Sequence, residues 1–205
     1  MHRLLLLVAL FGAVVFASEQ KPFTVEEAYE KIPFVKLFQE DKHYTNEQMI
    51  SILRRCVAEE NWQKGSIALY RKRPTRDGKV LLSGEFEEAL EYYARSAKAG
   101  NPLSAYIGMV TLSQFYLMRG PITKKYIDIF AEAMIGDNMC FGVIMKHDAY
   151  AGGFISGQED YARAYATLID YSYLCKPEVS GKNSYRGYRH RLAKTSYLVS
   201  KKGLQ

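Results

Sequence analysis

Hydrophobic positions recur along this chain at intervals of three and four, the period of a helix with one buried face. From Thr24 to about Phe38, the residues Val25, Ala28, Tyr29, Ile32 and Val35 stripe one face. Thr24 and Glu27 have the spacing of a capping box, and Pro33 marks a break within the run. Thr45 to Glu59 repeats the pattern with Met49, Ile50, Leu53, Cys56 and Val57, and Asn61 to Arg73 predicts a further helix stopped by Pro74. Residues 74 to 84 read as a loop, with Pro74, Asp77-Gly78 and Ser83-Gly84 supplying turn chemistry around a brief Val80-Leu81-Leu82 run. Helices are then expected over Glu85 to Ala99, closed by Gly100, and from Asn101-Pro102 to about Met118. Three more follow, over Ile122 to Ile135, Asn138 to Tyr150 and Glu159 to Leu174, each ended by Gly or Pro.

This punctuation is periodic. Gly100-Asn101 recurs as Gly136-Asp137-Asn138, which puts the two Asn residues 37 positions apart, and an alanine-rich helix precedes each junction. A fixed interval of that size predicts an all-α fold of stacked antiparallel helical hairpins, a short α-solenoid. Each helical pair exposes an apolar face that it cannot cover alone, so it stacks on its neighbour. Small residues such as Ala97, Ala105 and Gly108 let the backbones approach.

Residues 84 to 108 read Gly-Glu-Phe-Glu-Glu-Ala-Leu-Glu-Tyr-Tyr-Ala-Arg-Ser-Ala-Lys-Ala-Gly-Asn-Pro-Leu-Ser-Ala-Tyr-Ile-Gly. This stretch resembles the core of a Sel1-like repeat, a relative of the tetratricopeptide repeat (TPR). The family's pattern of paired aromatics, small residues and a closing Gly-Asn is matched by Ala89, Tyr92, Tyr93, Ala97, Gly100, Asn101, Ala105 and Gly108. A degraded second copy from Lys125 to Gly142 keeps Tyr126, Ala131, Gly136, Asn138 and Gly142, and Tyr161, Ala162 and Ala164 hint at a third. The resemblance covers about residues 84 to 175 and nothing specific in 18 to 60. The family's Gly-rich link is replaced by residues 74 to 84 and by Gly120-Pro121, and the paired cysteines of its cysteine-rich members are absent. It implies a Sel1/TPR-like module whose concave face holds another protein or a peptide.

The N-terminus adds a location. A short basic start through Arg3, an unbroken apolar run from Leu4 to Ala17, and the small-residue ending Val15-Phe16-Ala17 form the pattern of a cleavable signal peptide. The run is shorter than the roughly 20 apolar residues that cross a bilayer. We therefore expect export to a bacterial periplasm or beyond. The organisation follows as a signal peptide over 1–17, N-terminal helices over 18–60, a helical repeat region over 61–178 and a basic C-terminal helix over 179–205. With 48% hydrophobic and 24% charged residues the chain is neither a disordered tail nor a multi-span membrane protein. Its formal charge of +6 is too diffuse to imply nucleic acid.

Candidate chemistry is sparse. Outside the leader the histidines are His43, His147 and His190, without a two-His helical pair, so no metal and no cofactor is expected. Gly153-Phe154-Ile155-Ser156-Gly157 lacks the spacing of a nucleophile elbow, and Gly181-Lys182-Asn183-Ser184 lacks the leading glycine of a phosphate loop. Export permits a disulfide. If 138 to 150 and 159 to 174 form one antiparallel hairpin, Cys140 and Cys175 lie at the same end; the competing reading is three buried small side chains, which Cys56 on its stripe already fits.

Two surfaces carry the binding expectations. Tyr92, Tyr93 and Tyr106 could face a partner peptide, against the reading that they are packing residues. After Glu178 no acidic residue appears, so Arg186, Arg189, Arg191 and Lys194 form either a solvated capping face or a docking site for an anionic surface. The expected function is an exported binding or assembly module for protein–protein interaction in the cell envelope, with an unknown protein or peptide partner and no chemistry of its own. The rivals are a lysozyme-like cell-wall hydrolase, using carboxylates such as Glu59, Glu60 and Glu85, and a structural subunit of an envelope or secretion complex.

Overall fold

Pro33 does end one helix and start another. In the computed structural model, which describes residues 21–74, 80–82, 85–115, 120–155 and 157–203, helix α1 (Val25–Lys31) closes at Ile32 and α2 (Pro33–Asp41) opens with Pro33 in its first turn. The Thr24/Glu27 capping box is formed in both directions. Then come α3 (Asn46–Val57), capped by Thr45, and α4 (Glu60–Leu69). The stripe on α3 is Met49, Ile52, Leu53 and Cys56. Ile50, expected on that stripe, points to solvent, and Ile52 takes the buried place.

The expected helix into Arg73 and the loop after it give way, among the described residues, to two short strands. β1 (Lys72–Pro74) pairs antiparallel with β2 (Val80–Leu82), Arg73 opposite Leu81. The Asp77-Gly78 pair between them lies outside the described residues, as do the leader residues 1–17. Five helices follow: α5 (Phe86–Lys98), α6 (Pro102–Phe115), α7 (Pro121–Gly136), α8 (Cys140–Ala151) and α9 (Tyr161–Asp170). A 3-10 turn (Ser172–Cys175) and the long α10 (Lys182–Lys201) complete the chain.

Among the described residues the chain is all-helical apart from the small ribbon, and its helices form a repeat-like stack of antiparallel hairpins. Each helix from α4 to α10 packs on its neighbours in the chain, and α5 also meets α7 while α8 meets α10. Such contacts between alternate helices arise when hairpins lie side by side. Glycines set the spacing. A Cβ on Gly65 of α4 would stand 3.0 Å from the Tyr93 ring of α5, one on Gly108 of α6 would enter the Phe130 ring of α7, and one on Gly142 of α8 would reach 2.9 Å from the carbonyl of Ala131. At the first two of these junctions an aromatic ring therefore seats on bare backbone, which brings helix axes close and leaves Tyr93 and Phe130 fully buried.

The repeat register differs in one detail from the spacing of the two Asn residues. The left-handed residue that ends the first hairpin's leading helix is Gly100 (φ 92°), and in the next it is Asn138 (φ 59°). Gly100, not Asn101, is thus the counterpart of Asn138. Asn and Gly are the residues that enter this conformation most readily, so either can close the helix.

The N-terminal helices belong to the same hydrophobic cluster as the stack. α2 lies over α6 and touches α10. Phe38 meets the Tyr106 ring edge-on at 5.5 Å, Lys42 donates to the carbonyls of Asp137 and Asn138, and the Gly181 amide donates to the Asp41 carbonyl at 2.9 Å.

Candidate functional site

Where α2 crosses α6, α8 and α10 it leaves a cleft of about 460 Å³. Tyr106 and Phe141, with ring centroids 5.1 Å apart, form its floor, and Leu37, Ile144 and Met145 supply apolar walls. Glu40, Asp41 and His43 stand on the α2 rim; Lys182, Asn183 and Arg191 stand on the α10 rim. Leu37 is 44% exposed although it is a large apolar residue, because it faces the cleft mouth and not the core. The Tyr106 hydroxyl has no hydrogen-bond partner among the described residues, and burial raises its ionisation well above the ordinary tyrosine range. It therefore stays a neutral donor and acceptor at the base of the cleft.

Asp41 holds the cleft together. Its Oδ1 accepts from the Ser184 hydroxyl at 2.5 Å, and its backbone oxygen accepts from Gly181. Burial pushes the Asp41 carboxyl up, opposed by the Ser184 hydrogen bond and by the charges of Lys42 and His43. Gly181 is needed for this approach, since a Cβ there would come 3.0 Å from the Asp41 Cα. The Gly181-to-Ser184 stretch is thus the joint between α2 and α10.

Beside the cleft, Arg191 turns inward. Its guanidinium grips Asp148 through two hydrogen bonds, Nε to Oδ1 at 2.7 Å and a terminal nitrogen to Oδ2 at 2.5 Å. His147 lies 2.8 Å from Asp148 through Nδ1 and 2.7 Å from the Thr195 hydroxyl through Nε2. Burial pushes Asp148 up, but the hydrogen bonds from His147 and Arg191, with their charges, bring its carboxyl below the usual carboxylate range. The order Thr195, His147, Asp148 matches nucleophile, base and orienter in acyl-transfer sites. Yet Thr195 and His147 are both buried, and neither lines the cleft. The arrangement is a polar strut joining α8 to α10.

A second polar cluster joins α3, α4, α5 and α6 beside a smaller cavity of about 200 Å³. Glu59 accepts the Asn61 and Trp62 amides at 3.1 and 2.9 Å as the cap of α4 and also takes the Ser96 hydroxyl, which shares a hydrogen bond with Ser104. Asn101 caps α6 through the Ser104 amide and donates to the Cys56 sulfur. Burial pushes the Cys56 thiol up to about 12, so it is not a nucleophile at neutral pH. Glu60 pairs with Lys64, and Glu85 pairs with Arg71 at 2.6 Å, so these carboxylates and Glu59 are each tied to a helix end or a cation. Among the described residues no group of three or more His, Cys, Asp or Glu side chains is placed to hold a metal ion.

The tyrosines separate. Tyr93 is fully buried with its hydroxyl 3.0 Å from Ser66; Tyr92 is half-buried, with Lys64 and Arg95 each 5.7 Å from its ring centroid; Tyr106 alone of the three lines the cleft. Cys140 and Cys175 are joined by a disulfide, Cα atoms 4.8 Å apart, which fastens the start of α8 to the end of the 3-10 turn. Of the basic residues on α10, Arg186, Arg189 and Lys194 are exposed, whereas Arg191 is taken by Asp148. Leu37, Asp41 and Phe141 carry the cleft without having stood out in the sequence, and Ser184 stood out only as part of an incomplete phosphate-loop pattern. An off-stripe leucine on α2 was the available signal for Leu37. No family model, no curated protein and no solved structure matches this chain.

Proposed function

We propose that the protein is an exported helical-repeat module that binds a segment of another cell-envelope protein in the cleft between α2 and the α6/α8/α10 face. The cleft itself carries the reading. An aromatic floor, an exposed leucine at the mouth and an unengaged tyrosine hydroxyl suit a bulky apolar side chain with a polar group at its tip. The acidic α2 rim and the Lys182 side opposite orient such a segment, a basic neighbour toward Glu40 and an acidic one toward Lys182. The Sel1-like pattern over residues 84 to 108 supports a binding role. The leader over 1–17 and the Cys140–Cys175 bridge support an oxidising compartment outside the cytoplasm.

The test places a photo-crosslinking residue at Leu37 in one preparation and at exposed Lys98 in another, each expressed in an envelope-bearing host. The reading expects the chain in the exported fraction without residues 1–17, and a discrete adduct from position 37 that is missing from position 98 and lost with Tyr106→Ala. Identical adducts from both positions would overturn the cleft as the binding site. Clearance of a peptidoglycan zymogram by the purified chain would favour a hydrolase instead.

A further inference from the structure

The outer face of α10 bears a charge pattern of which only Lys182 also stands on the cleft rim. Lys182, Arg186, Arg189, Lys194 and Lys201 are exposed, and their helical spacing puts them within one arc, together with His190 and the 64% exposed Tyr197. Over the 20 residues of α10 this arc is roughly 30 Å long. The opposite side, through Ser184, Tyr188, Arg191, Thr195 and Val199, meets the stack.

Some exposed cations elsewhere have their charge answered nearby, Lys31 by Glu27, Lys64 by Glu60, Lys125 and Arg95 by Glu91, Arg163 by Asp160, while others without an ion-pair partner among the described residues, such as Arg54, Lys98 and Lys124, are scattered over separate helices. None of the five on α10 has an ion-pair partner among the described residues, and α10 contains no Asp or Glu. The carboxylates it does meet, Asp41 and Asp148, lie on its inner side and are engaged by Ser184 and Arg191. The outer face of α10 thus gathers on one helix positive charge that is open to an anionic body.

We propose that this face of α10 docks flat on an anionic phospholipid bilayer. An arc of exposed point charges on a convex rod has no pocket to enclose a peptide, but it matches a plane of phosphate headgroups. Tyr197, in the middle of the arc, is the kind of side chain that settles at headgroup level, with its ring toward the acyl boundary and its hydroxyl wet. No helix among the described residues is long and apolar enough to cross a membrane, so the contact is peripheral and electrostatic.

The experiment is co-sedimentation of the full chain with vesicles of phosphatidylcholine containing about 30 mol % phosphatidylglycerol, or phosphatidylcholine alone. The readout is the ratio of the two partition coefficients. A triple variant Arg186→Gln, Arg189→Gln, Lys194→Gln should lower that ratio on the order of 100-fold, from about fivefold per basic residue. A control triple, Arg54→Gln, Lys98→Gln, Lys124→Gln, removes the same charge from other exposed positions and should leave it within about twofold. The charge-preserving pair Arg186→Lys, Arg189→Lys should also retain binding. A ratio near one for the unaltered chain, equal losses in the two triple variants, or loss in the charge-preserving pair would each overturn the proposal. Helix content by circular dichroism confirms that these exposed substitutions leave the fold in place.

Discussion

Gly108 of α6 lies directly beneath the ring of Phe130 of α7, so that a Cβ on Gly108 would stand 2.6 Å from Phe130 Cε1. The ring is fully buried and has nowhere to move. Gly108→Ala should therefore destabilise the protein by about 1–3 kcal/mol through overpacking, although alanine is the better helix former. Gly136, at the end of α7, has open space where its Cβ would be, and Gly136→Ala should be neutral or stabilising by up to about 1 kcal/mol. Urea denaturation of the two variants measures the contrast.

Asp148 and Asp41 should give opposite pH signatures. The folded value of Asp148 lies below the ordinary one, so its contribution is present above the unfolded carboxylate range and vanishes as pH falls through the folded value. The folded value of Asp41 lies above the ordinary one. Its contribution is complete below about pH 4 and is lost as pH rises through that raised value. Asp148→Asn should cost about 2 kcal/mol at neutral pH, moderated because the Arg191 side chain is 30% exposed, and should flatten the acid limb of the stability profile. Asp41→Asn, which can still accept from Ser184, should remove the fall in stability between acid and neutral pH. Denaturant midpoints taken across the acid-to-neutral range report both.

The Cys140–Cys175 bridge closes a loop with a sequence separation of 35. Reduction, or Cys140→Ser with Cys175→Ser, should lower stability by about 4 kcal/mol. Intact mass after alkylation in denaturant should show one reactive thiol in the unreduced protein. That thiol, Cys56, should resist alkylation in the native state because it is buried and its ionisation is pushed up to about 12.

Glu59 is the cap of α4 and holds Ser96, so Glu59→Ala should cost about 1–2 kcal/mol. Exposed Glu60, paired only with Lys64 on its own helix, should cost under about 0.5 kcal/mol when replaced by alanine. Thermal melts of the two neighbouring substitutions compare a capping carboxylate with a solvated one.

Local signals carried most of the helix pattern. The Thr24/Glu27 box, the Pro33 break and the Gly100 turn depend on residues within a few positions of one another, and each is formed. Periodicity alone could not separate Ile50 from Ile52 on α3, because both are apolar and only the packing against α1 and α4 decides which one faces inward. Arg191 looked like part of the basic face for the same reason: its Asp148 partner is 43 positions away. The cleft was least legible of all, since its joint is a hydrogen bond between Ser184 and Asp41, 143 residues apart, with no motif at either end.

A row of hairpins fastened only to adjacent units comes apart from its margins, each terminal unit peeling independently. Here Asp41, near the beginning of the described chain, clasps the first turn of the final helix, so the array is buckled across its length. Opening α2 at Asp41 frees the start of α10, and inserting or deleting a repeat between them would misplace the buckle. The copy number of this stack is thereby locked, unlike that of an open-ended solenoid.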